Sequence, residues 1–169
     1  MKALKDTLMQ KNALYVHGLG SSKDSSTFKS LKKNFPQYNW TTDTFDLLDV
    51  DGTNDKIDNI LRSKNIAVVV GSSLGAFYTL AIKNSIAKVV INPCMHPSIE
   101  IPKLVTDKSV PVEKFKAVEQ DTYASIDGEM RRSTFGIFGT QDELFSYKKE
   151  FIKLYGRNHI CVSDNHRLK

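Results

Sequence analysis

A chain of 169 residues with no compositional break reads as one domain over 1–169, with residues 1–11 as an N-terminal extension and room for only a short lid. Its formal charge of +5 comes from 24 basic residues scattered among 19 acidic ones without an aromatic-studded basic stripe, so a solvated surface is expected and a nucleic-acid partner is not. The longest apolar run, Ile66 to Val70, is far shorter than the roughly 20 residues of a bilayer-crossing helix, and the start M-K-A-L-K-D lacks a signal-peptide core, which leaves the cytoplasm as the expected location.

Along the chain, short apolar runs alternate with segments of helical spacing. Leu14 to Val16 predicts a buried strand, and Phe28, Leu31 and Phe35 recur as on one helix face. A weaker strand is expected around Trp40 to Phe45, where Thr and aromatic residues cluster. Asp49-Val50-Asp51-Gly52 lacks the ligand series of a calcium loop and reads as a turn. Ile57, Ile60 and Leu61 mark a helix, Ile66 to Val70 a strand, Phe77, Leu80 and Ala81 a helix, and Val89 to Ile91 a strand. From Lys103 to Arg132 only a helix over Val112 to Gln120 and a turn at Asp127-Gly128 are legible, and residues 99–132 are expected to form a small cap over the site. The strand Phe135 to Phe138, a helix carrying Leu144, Phe151, Ile152 and Leu154, and the strand Ile160 to Val162 complete the pattern. The expected fold class is α/β, with about six mainly parallel strands, helices on both faces and a minimal cap. Cys94 and Cys161 each lie beside an apolar run, as buried free thiols do, and neither forms a metal-ligand pattern, so no metal site is expected.

Most of the chemistry is concentrated in V-V-V-G-S-S-L-G-A-F, residues 68–77, an apolar strand running through G-x-S-x-G into a helical pattern. In that context Ser73 sits on a sharp turn with its hydroxyl above the sheet, flanked by Gly71 and Gly75 where side chains would collide. The helix that follows aims unpaired N–H groups at the same place, with Leu74 N–H as the first oxyanion donor. No G-K-[ST] follows and the glycine spacing is wrong for a dinucleotide fingerprint, so a phosphate-binding turn is disfavoured. The first strand ends in His17-Gly18-Leu19-Gly20, the type of loop that supplies a second donor, assigned to Leu19 N–H. His17 is expected to orient that loop.

Together, Y-V-H-G-L-G-S-S and V-G-S-S-L-G-A-F-Y, followed by V-V-I-N-P-C-M-H-P, F-G-T-Q-D-E and a terminal D-N-H, resemble the small bacterial YqiA-like esterase family of the α/β-hydrolase superfamily. The likeness implies an α/β-hydrolase fold, esterase or thioesterase activity on small acyl groups, and no metal or organic cofactor.

A serine nucleophile needs an imidazole within hydrogen-bond reach, and four histidines compete. His159 stands at the amino end of a strand, away from the face where such sites form. His96 follows a strand on the correct face and is expected, with Gly18, to contact substrate, but it breaks the superfamily order of Ser, acid, His. His166 keeps that order and matches the terminal histidine of the family, so it is the expected base. The acid is expected at Asp142, just past a strand end, with Glu143 and Asp164 as weaker candidates: Glu143 suits a helix dipole and Asp164 a turn. His166 lies in S-D-N-H-R rather than a glycine-containing turn, three residues from the end of the sequence and without a covering helix, so a loosely held base and low activity are expected. The expected partner is a small acyl ester or thioester. An acyltransferase with the same triad and a weakly active scaffold protein are the alternatives, and the oligomeric state is open.

Overall fold

The computed structural model describes residues 10–106 and 109–166. Residues 1–9 of the expected extension lie outside them, and Lys11 already belongs to the first strand. Six strands, β1 (Lys11–Val16), β2 (Tyr38–Thr42), β3 (Ile66–Ser72), β4 (Ala87–Ile91), β5 (Thr134–Gly139) and β6 (His159–Val162), form one sheet in the order β2-β1-β3-β4-β5-β6. Every pairing is parallel, as the continuous apolar runs require of strands buried on both faces. The chain winds outward from β1 to β2 and then returns to β3 on the other side. The switch point therefore falls between β1 and β3, where the carboxyl ends of an open α/β sheet leave a crevice.

The helices are α1 (Ser26–Asn34), α2 (Val50–Lys64), α3 (Leu74–Ala81), α4 (Pro97–Leu104), α5 (Val112–Ala124), α6 (Gly128–Ser133) and α7 (Lys148–Tyr155). Strand side chains alternate between faces. Tyr15, Val70 and Ile91 meet Phe28 and Leu31 of α1, while Leu14, Val16 and Val69 pack in the larger core with Ile57 of α2, Phe77 of α3 and Phe115 of α5. Phe151 and Tyr155 of α7 join Ala76, Leu80, Val90 and Phe138 on that second side. No helix among the described residues is long and apolar enough to cross a membrane.

Several expectations are corrected. The turn at Asp127-Gly128 is the start of α6, with the Asp127 carboxylate accepting from Met130 N–H as an N-cap. Leu144 lies in the loop before α7. Within residues 99–132, Ile101, Leu104 and Val105 of α4 and its end border the cleft described below, while Phe115 of α5 packs its ring edge against Phe77 and Tyr78. Cys94 is buried, but Cys161 is exposed, because β6 is an edge strand that leaves Ile160 48% exposed beside it.

Candidate active site

The end of β3 delivers Ser73 at φ 55° and ψ −121°, a left-handed conformation that costs a non-glycine residue of order 1–3 kcal/mol. Neighbours hold it there. Its N–H donates to Ile91 O at 2.9 Å, and its carbonyl accepts from Cys94 N–H at 3.1 Å. The two flanking glycines make the bend possible, because a Cβ on Gly71 would run into the Thr79 hydroxyl and Gly75 O, and one on Gly75 into the carbonyls of Val16 and His17. α3 thus packs directly against the end of β1. Ser72, the other hydroxyl of the motif, is engaged at 2.9 Å with Tyr15 OH. Ser73 is the N-cap residue of α3 but makes no capping bond with its side chain, and among the described residues nothing hydrogen-bonds its Oγ.

The His17-Gly18-Leu19-Gly20 loop lies against the elbow so closely that a Cβ on Gly18 would stand 3.0 Å from Ser73 Cβ. His17 Nε2 accepts from Phe45 N–H at 3.1 Å, which puts the ring proton on Nδ1, 2.9 Å from the Gly18 carbonyl that receives it. The buried ring therefore fixes the loop, as expected. Leu19 and Ser73 border one cleft of about 670 Å³, and Leu74 opens α3, where first-turn N–H groups have no intrahelical acceptor.

His166 reaches the same cleft from beyond β6. Its Nδ1 stands 3.0 Å from both carboxylate oxygens of Asp142, in a pair whose side chains are more than nine-tenths buried. Burial by itself would raise the Asp142 pKa, but the His166 hydrogen bond and the N–H groups of Phe145 and Leu144 outweigh it and hold the carboxyl below its ordinary value. An ionised Asp142 keeps the imidazole proton on Nδ1 and leaves Nε2 free to accept another. The Phe145 ring packs edge-on to the imidazole at 4.9 Å.

His166 is not loosely held. His166 is only 9% exposed, its N–H donates to Glu143 Oε2 at 3.0 Å, and its carbonyl accepts from Asn92 Nδ2 at 2.8 Å. Glu143 therefore does not serve the helix dipole; α7 starts only at Lys148, and the carboxylate holds the His166 loop instead. Asp164 lies in that loop, where its carboxylate accepts from Asn165 N–H and its carbonyl from Gln141 N–H. Glu143 and Asn92 are contacts the sequence signals only weakly, by adjacency to the acid and by an Asn-Pro step after a strand.

His96, expected to contact substrate, does not line the cleft. It is the N-cap residue of α4, its Nε2 2.7 Å from Glu150 and its Nδ1 3.5 Å from Glu119. His159 opens β6, away from Ser73, as expected.

The arrangement brings a strained serine, two candidate donor N–H groups and a carboxylate-held imidazole around one cleft, the parts needed for acyl transfer. The profile of the uncharacterised protein family UPF0227 matches residues 12–169. No curated protein matches the chain. Among solved structures, the esterase domain of a Rhodothermus marinus protein superposes with a TM-score of 0.67 at 17% identity, over 96% of this chain and 80% of that one. A carboxylesterase of the thaumarchaeon Nitrososphaera gargenis gives 0.60 at 14% identity over 94% and 84%. The ydeN gene product of B. subtilis gives 0.60 at 17% identity over 91% and 86%. Likeness at this level of identity establishes the fold, that of the α/β hydrolases.

Proposed function

The chain belongs to the uncharacterised protein family UPF0227, and from that premise we propose that it is a serine hydrolase cleaving carboxylic ester or thioester bonds of small acyl substrates. The observation that carries the proposal is the buried Asp142–His166 pair, 3.0 Å apart, opening on the same cleft as Ser73 in its strained turn. The esterases among the structural neighbours support the same reading.

In the proposed reaction, substrate binding closes the Ser73–His166 hydrogen bond. Ser73 Oγ attacks the acyl carbonyl carbon as His166 Nε2 takes its proton, and the carbonyl π electrons move onto oxygen. Leu19 N–H and Leu74 N–H stabilise that oxyanion. Its collapse expels the alcohol or thiol, which receives the proton from Nε2, and leaves an acyl ester on Ser73. Water, activated by the same imidazole, attacks that ester and releases the acid. Asp142 stays ionised throughout and stabilises the imidazolium.

The test is hydrolysis of p-nitrophenyl acetate and butyrate by the protein beside its Ser73→Ala and His166→Ala variants, with an organophosphonate as a covalent probe. Activity lost in both variants, and labelling lost in Ser73→Ala, is the expected result. Activity indifferent to Ser73, or none together with no labelling, overturns the proposal.

A further inference from the structure

Asn92, the first residue after β4, is 2% exposed and takes up φ 43°. Its side chain uses both ends. Oδ1 accepts from Gly139 N–H at 2.7 Å, at the end of β5 where the turn to Asp142 begins, while Nδ2 donates to the carbonyls of His166 at 2.8 Å and Asn165 at 3.3 Å. Its own N–H donates to Ile137 O at 2.9 Å. Just before it, Ile91 O accepts from Ser73 N–H, and two residues after it, Cys94 N–H donates to the Ser73 carbonyl. One four-residue segment thus grips the nucleophile by its main chain and the acid turn and base loop by a single side chain.

On the reading of Ser73, Asp142 and His166 given above, we propose that Asn92 is a positioning residue that sets the separation between Ser73 Oγ and His166 Nε2. The geometry has few substitutes. Only a side chain with an acceptor and a donor on one planar group can bridge Gly139 N–H and His166 O, and only Asn, Asp or Gly sits readily at this positive φ. Gly139 leaves no slack, since a Cβ on it would stand 2.6 Å from the carbonyls of both Asp164 and Asn165. Without the amide, the carbonyls of His166 and Asn165 lose this donor, and the side-chain bridge from the end of β4 to the His166 loop is gone.

The experiment compares wild type with Asn92→Gly, which keeps the backbone conformation and removes the clamp, and with Asn92→Asp, which keeps the acceptor and loses the donor. Two readouts are taken: the hydrogen-bonded Nδ1–H proton resonance of His166, identified by its absence in His166→Gln, and kcat and KM for p-nitrophenyl butyrate. The expected result in both variants is a broadened or lost resonance and a kcat lower by about 10- to 100-fold at nearly constant KM, as for an interaction that matters only at the transition state. An unchanged resonance with unchanged kcat in either folded variant overturns the proposal. If wild type hydrolyses no ester, the hydrolase reading falls, and the resonance alone decides whether Asn92 orders the base.

Discussion

Glu143 Oε2 accepts the backbone N–H of His166 at 3.0 Å while its sequence neighbour Asp142 holds the ring of the same histidine. That N–H is the main reason the Glu143 carboxyl lies below its usual pKa. A depressed carboxylate keeps such a contact throughout the range above the ordinary glutamate value, and loses it only as pH falls through its own lower one. Glu143→Gln retains an acceptor and is expected to match wild type at neutral pH. Glu143→Ala removes it and is expected to lower kcat about tenfold through a displaced base. Steady-state kinetics on p-nitrophenyl butyrate decides; equal kcat in Ala and wild type would take Glu143 out of the site.

The elbow glycines separate stability from activity. Alanine at Gly71 would stand 2.5 Å from Gly75 O and 2.7 Å from Ala76 Cα, both main-chain atoms that cannot swing aside. Gly71→Ala is expected to destabilise the fold by about 1–3 kcal/mol, read from urea unfolding. Gly18→Ala meets mainly Ser73 itself, at 3.0 Å from Cβ and 3.6 Å from Oγ, on the wall of the cleft. Its expected signature is a lower kcat with a nearly unchanged unfolding midpoint. A Gly18→Ala variant with wild-type kcat would show that the loop shifts freely.

The central strands were legible because a parallel strand covered on both sides must be apolar throughout, as in Ile66 to Val70 and Val89 to Ile91. The elbow was legible because its constraint is local: two glycines and a serine within five residues. Chain order singled out His166, but what holds it was not legible, since Asn92 and His166 are 74 positions apart and no periodicity joins them. α4 escaped notice because Pro102 lies inside it, and α6 because its start looks like a turn. His96 was misplaced for a related reason: a strand end identifies the correct edge of the sheet but not which side chains turn into the cleft.

Lys88 on β4 is 1% exposed, and its ammonium donates to Ile82 O. Burial lowers its pKa to about 8, against a small opposing pull from Asp127. A lysine whose folded pKa is lower than its unfolded value costs stability when protonated. The cost is present in full below about pH 8 and is relieved as pH rises toward the unfolded value. Lys88→Met, which keeps the volume without the charge, is expected to be more stable than wild type at pH 7 by of order 3 kcal/mol, with the gap narrowing between pH 8 and about 10. Unfolding midpoints of the two proteins across that range test this; a constant gap would show that the charge is not the cause.

His96 offers the sharpest contrast with His166, because both are imidazoles on carboxylates near the carboxyl edge of the sheet. His96 faces Glu150 at 2.7 Å and Glu119 at 3.5 Å, and packs edge-on against Tyr123 and Tyr147 at ring distances of 5.7 and 5.4 Å. Glu119 in turn accepts both the N–H and the hydroxyl of Ser98 in the first turn of α4. Removing the ring takes a partner from both carboxylates and loosens α4 against α5 and α7. His96→Ala is therefore expected to cost about 1–3 kcal/mol of stability. Its kcat should stay within about threefold of wild type, while KM rises modestly because α4 carries Ile101 and Leu104 into the cleft. His166→Ala should show the reverse, loss of turnover with a smaller change in the unfolding midpoint. A His96→Ala protein that folds as well as wild type but has lost its turnover would move the base of the reaction from His166 to His96.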